Sequence, residues 1–77
     1  MYRYNICSAA DEKVFSKQCI AIEKKLNDLK KIELLIDVDG SKIQKYEFRG
    51  ESIKVVNSIY TDEVYVESSV DIKPFFT

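Results

Sequence analysis

Apolar side chains fall at Phe15, Cys19, Ile22, Leu26 and Leu29, a spacing of three and four that follows the turn of a helix, and after Lys31 that rhythm gives way to near-alternation. The change of period predicts an α+β fold in which one long helix, over about residues 9–30, packs on one face of a mostly antiparallel sheet. Tyr2 to Cys7 reads as a strand ahead of the helix, giving the order β-α-β-β-β-β. Ser8 stands where an N-cap belongs, Asp11 and Glu12 follow at the positive end of the helix dipole, and Lys24, Lys25, Lys30 and Lys31 gather at the negative end.

Three turns then test whether the strands share an apolar face. A loop at Asp39-Gly40-Ser41 sets Leu34 opposite Tyr46 and Ile32 opposite Phe48. A type II′ turn at Gly50-Glu51 sets Phe48 against Ile53, Tyr46 against Val55 and Glu47 against Lys54, and a turn at Thr61-Asp62 sets Ile59 against Val64 and Ile53 against Val70. Together they predict one apolar face of Ile32, Leu34, Ile36, Tyr46, Phe48, Ile53, Val55, Ile59, Val64, Val66, Val70 and Ile72. Ile53, Val56, Ile59 and Tyr60 also fit a short helix at 52–60, which would give the ferredoxin-like order β-α-β-β-α-β. The β-branched run through Ile53, Val55, Val56 and Ile59 favours strand.

A single helix covers a single face. The second face of the sheet carries Leu35, Ile43, Val56, Tyr60 and Tyr65 among Glu33, Lys45, Glu47, Lys54, Glu67 and Asp71. Tyrosines and aliphatics ringed by carboxylates have the make-up of a binding patch, so Tyr60, Tyr65, Glu67, Val56 and Asp71 are the candidate partner-binding residues. Self-cover by the N-terminal tyrosines or by Pro74-Phe75-Phe76 is the alternative.

Composition narrows the chemistry. The 77 residues suit a single domain over 1–77, with 45% hydrophobic and 32% charged residues typical of a folded globule. Twelve basic against thirteen acidic residues leave a net charge of −1, without the cationic excess that nucleic-acid binding draws on. No apolar run is long enough to span a bilayer, no signal-peptide core opens the chain, and Cys7 and Cys19 lack zinc-site spacing, so the chain reads as soluble and cytoplasmic with reduced thiols. There is no histidine, which removes the usual general base and the commonest metal ligand. Neither catalytic residues, nor a metal site, nor a cofactor is expected.

Leu34-Leu35-Ile36-Asp37-Val38-Asp39-Gly40 resembles the strand and Asp-x-Asp-Gly that open the active site of haloacid-dehalogenase-type phosphatases. The resemblance implies Asp37 as nucleophile and Asp39 as acid/base beside a magnesium ion. It covers seven residues, Ser41 follows in place of Thr, and the chain is too short for those enzymes' parallel sheet. Asp-Gly between two strands is equally the signature of a hairpin, which explains the same letters.

The expected function is therefore that of a non-catalytic binding protein acting by protein-protein contact, of the inhibitor or immunity-protein kind. An acidic C-terminal stretch, with Asp62, Glu63, Glu67 and Asp71 against Lys73 alone, suits a basic partner. A homo-oligomeric structural or regulatory subunit is the alternative, and a ferredoxin-like nucleic-acid module ranks third.

Overall fold

The computed structural model describes residues 1–76. The chain runs β1 (Tyr2–Cys7), α1 (Glu12–Lys25), β2 (Leu29–Ile36), β3 (Lys42–Phe48), β4 (Glu51–Ser58), β5 (Glu63–Ser68) and a final 3-10 turn at Lys73–Phe76. Strands β2 to β5 form a meander and β1 joins beside β5, so the five-stranded antiparallel sheet has the order β1-β5-β4-β3-β2. Residues 51–58 are strand, which leaves no ferredoxin-like second helix.

The helix is shorter than its apolar spacing predicts. Its N-cap is Asp11 and not Ser8, because tertiary bonds hold the segment before it extended. The Ala10 N–H donates to Asp62 Oδ1 at 2.9 Å and the Asp11 N–H donates to the buried Asn57 Oδ1 at 3.1 Å. Asp11 Oδ1 then accepts from the N–H groups of Lys13 and Val14, satisfying two donors of the first turn. At the far end Leu26 turns extended, and Asp28 takes a left-handed conformation (φ 64°) that Asp tolerates better than most residues. Leu26 is thus a core residue just beyond the helix, and Leu29 and Lys30 belong to β2.

Each hairpin pairs two or more residues out of the expected register. Arg49 (φ 52°) and Gly50 (φ 81°) form the two-residue turn between β3 and β4, and two consecutive positive φ values define type I′, whose twist matches that of the strands. Phe48 therefore faces Glu51, Tyr46 faces Ile53 and Lys45 faces Lys54. Between β4 and β5 a four-residue loop sets Ile53 against Ser68 and Val55 against Val66. A shift of two preserves which face each side chain occupies. Strand β2 differs, because a bulge between Lys31 and Glu33 takes Ile32 out of the pairing and aligns Leu34 with Gln44. The Gln44 side-chain amide, buried beside the bulge, donates to the Glu33 carbonyl at 3.0 Å.

Phe15 and Ile22 of α1, with Leu26, pack on Tyr46, Phe48, Ile53, Val55, Val66 and Ile72. The tail closes the same side: Phe75 meets Phe48 edge to face at 5.3 Å and Phe76 packs against the core. Four residues expected on the covered face are exposed. Ile59 lies in the β4–β5 loop, and Ile32, Leu34 and Ile36 lie on edge strand β2, beyond the reach of a helix that packs chiefly on β4.

Candidate functional site

The outer face of the sheet bears the candidate site. Alternation places Leu35 of β2, Ile43 of β3, Val56 of β4 and Tyr65 of β5 side by side there, and the β4–β5 loop brings Tyr60 to the same end. They line a cleft of about 570 Å³ with Ile36, Ser41, Ser58 and the two aspartates of the β2–β3 hairpin, Asp37 and Asp39. Val56 is buried at its floor, and Tyr60 stands 90% exposed at its mouth. Neither the N-terminal tyrosines nor the tail covers this face: Tyr4 and Phe76 pack on the helix side.

Strand β1 adds a residue to this face that the sequence reading did not assign to it. The Arg3 guanidinium lies 3.8 Å from the centre of the Tyr65 ring and donates to Glu63 Oε1 at 2.8 Å. The cation clamps the ring in place, a contact stronger than its exposed setting alone would give because the carboxylate fixes the guanidinium. Hydrogen bonds from Thr61 and Arg3 hold the Glu63 carboxyl below its ordinary range, and burial pushes the Tyr65 phenol up. Both groups keep their neutral-pH charge.

The five residues expected to bind a partner do not all meet. Tyr60, Tyr65 and Val56 line the cleft. Glu67 lies farther along β5 on the same face, opposite Lys54 and Arg3. Asp71 sits apart, where its Oδ1 accepts from the Tyr4 hydroxyl at 2.6 Å and from the Lys73 N–H, and these bonds hold its carboxyl below the usual range. That tether ties the tail to β1. Asp37 and Asp39, conversely, reach the cleft rim without having been singled out for binding, and their hairpin position beside Leu35 was the available signal.

The same two aspartates serve the turn. Asp37 Oδ1 accepts from the Val38 N–H at 2.7 Å, Asp39 Oδ1 accepts from the Ser41 N–H at 2.9 Å, and the Asp37 N–H donates to the Ser41 carbonyl. The Ser41 amide bond lowers the Asp39 pKa, keeping that carboxylate ionised. The strand ahead of them is an antiparallel edge, unlike the inner parallel strand that carries the phosphatase motif.

Elsewhere, the groups with shifted acidity are held protonated. The Tyr46 hydroxyl donates to Glu23 Oε2 at 2.6 Å, and burial together with that bond pushes the phenol far up. Burial likewise raises the neighbouring Cys19 thiol, the opposite of what a reactive thiolate needs. A second, apolar cavity of about 240 Å³ lies between β1, α1 and the tail, lined by Tyr4, Ile6, Gln18, Val66, Ile72, Lys73 and Phe76. Among the described residues no three Cys, Asp or Glu side chains converge as a metal-ligand set. No protein-family model, curated protein or solved structure matches the chain.

Proposed function

We propose that the protein is a small non-catalytic binding protein, of the inhibitor or immunity-protein kind, that engages a protein partner through the outer-face cleft. One observation carries this reading: an exposed tyrosine stands over an apolar floor on a sheet face that no other described part of the chain covers. Aromatic side chains of this kind supply large contact area at low entropic cost and dominate interface energetics.

The partner's chemistry follows from the rim. Glu33, Glu47 and Glu63 are each neutralised by a cation of their own chain, whereas neither Asp37 nor Asp39 enters an ion pair among the described residues. A lysine or arginine beside an apolar side chain would complement that rim and quicken encounter. The same unneutralised acids oppose a phosphate backbone. Among the described residues no helix is long and apolar enough to cross a membrane. The proposed location is the cytoplasm, which suits two cysteines that the fold leaves unbridged.

The test is an affinity measurement on a partner recovered from the native host. Tyr60→Ala is expected to weaken binding by about 1–3 kcal/mol, the range for an interface anchor, with thermal unfolding unchanged because the side chain is exposed. Equal affinity in the folded variant would remove the cleft from the binding surface.

A further inference from the structure

Strand β2 ends the sheet with its hydrogen-bonding edge open and its apolar residues in solvent. Leu34 is 47% exposed, Ile36 64%, and Val38 fully so, while Leu35 and Ile32 are exposed as well. The opposite edge is managed: β1 is bulged between Asn5 and Cys7 and carries the paired Arg3. On β2 the first half has the same protection, from Lys30, Lys31 and the bulge, but the second half has none.

The backbone of that second half is set for pairing. The Asp37 N–H donates to the Ser41 carbonyl, and bonded pairs alternate back from it through Leu35↔Ile43 and Glu33↔Lys45, so residues 33, 35 and 37 turn their polar groups toward β3. Leu34 and Ile36, lying between them, turn theirs to the open edge.

We infer that this edge pairs with β2 of a second copy, antiparallel about a two-fold axis at Leu34, joining two five-stranded sheets into one of ten strands. Charge selects the register. An axis at Glu33 would set that carboxylate against itself, and an axis at Leu35 would set Glu33 against the second copy's Asp37. With the axis at Leu34, Glu33 flanks the other copy's Leu35, and Ile36 packs against the Lys31–Ile32 bulge. The extra residue in that bulge then brings Lys30 opposite Asp37, both on the outer face, at each end of the junction. Lys30 can turn to it: its side chain is 75% exposed and holds Glu47 only loosely, at 3.8 Å. Because the axis stands perpendicular to the sheet, both outer clefts open on the same side. The pairing draws Asp37 from the cleft rim but leaves Asp39, Tyr60 and Tyr65 open, and self-association is measurable whether or not the clefts bind a partner.

Sedimentation equilibrium of the whole chain, with far-UV circular dichroism to check folding, tests it. The wild type is expected to reach twice its 8.9 kDa mass below about 1 mM. Leu34→Lys, which brings two ammonium groups together at the axis, is expected to raise the dimer dissociation constant by roughly tenfold or more. Lys30→Glu and Asp37→Lys each place like charges in opposition and are expected to weaken self-association. Their equimolar mixture restores it, since each copy then meets its complement. A wild type monomeric at about 1 mM, a folded Leu34→Lys variant that dimerises as before, or a mixture no tighter than its components would overturn the inference.

Discussion

Ile22→Ala is expected to destabilise the fold by about 2–5 kcal/mol, the range for emptying a buried aliphatic site, measured by urea or guanidinium unfolding. Ile22 is wholly buried near the C-terminal end of α1, among Phe15, Leu26, Tyr46 and Ile53. A chain of this size has on the order of 5–10 kcal/mol of stability in total, so the loss is a large part of it. Leu26→Ala should fall in the same range although Leu26 lies outside the helix, because burial and not helix membership sets the cost. Unchanged unfolding of either variant would mean that the helix does not sit on the sheet as described.

Asn57→Leu is expected to cost about 1–3 kcal/mol, from the loss of two hydrogen bonds that anchor the helix start, one of them to a charged group. Its side chain is the buried link between β4 and the start of α1, accepting from the Asp11 N–H and donating to Glu12 Oε2 at 3.3 Å. Glu12 also pairs with Lys42 of β3, so the helix start is held by two strands. The distinguishing sign is local: amide exchange should rise most in the first helical turn, while the far end near Lys25 changes less. Uniform acceleration along the chain would point to a general core defect.

The architecture could be read from the sequence because two periodicities are hard to confuse over this length. Burial of Phe15, Ile22 and Leu26, and of Tyr46, Phe48, Ile53, Val55 and Val66, follows from them directly. Register could not. Arg49 is not a residue that announces positive φ, so the pattern pointed to a Gly50-Glu51 turn, yet the faces survived because a slip of two leaves alternation intact. The bulge at Ile32 had no local signature, and neither did the limited reach of the helix across β2. Those two features decide that Leu34 and Ile36 face solvent. Similarly, Ser8 has the chemistry of an N-cap, but the side chain of Asn57, far along the sequence, chose Asp11.

For the candidate site, the second face was legible as a strip of Leu35, Ile43, Val56 and Tyr65, which alternation alone defines. Tyr60 joined it through a loop whose length alternation does not specify. Asp71 left it because the chain after Ser68 turns to the helix side, where Ile72 is buried and Tyr4 binds the carboxylate.

The outer cleft as the partner's contact surface is best tested by site-specific photo-crosslinking in extract of the native host. A photoreactive aromatic residue replaces either Tyr60, at the mouth of the cleft, or Lys17, exposed on the helix. The account predicts a discrete covalent adduct from position 60 and none from position 17. An adduct from position 17 with none from position 60 would contradict it and move the binding surface to the helix side.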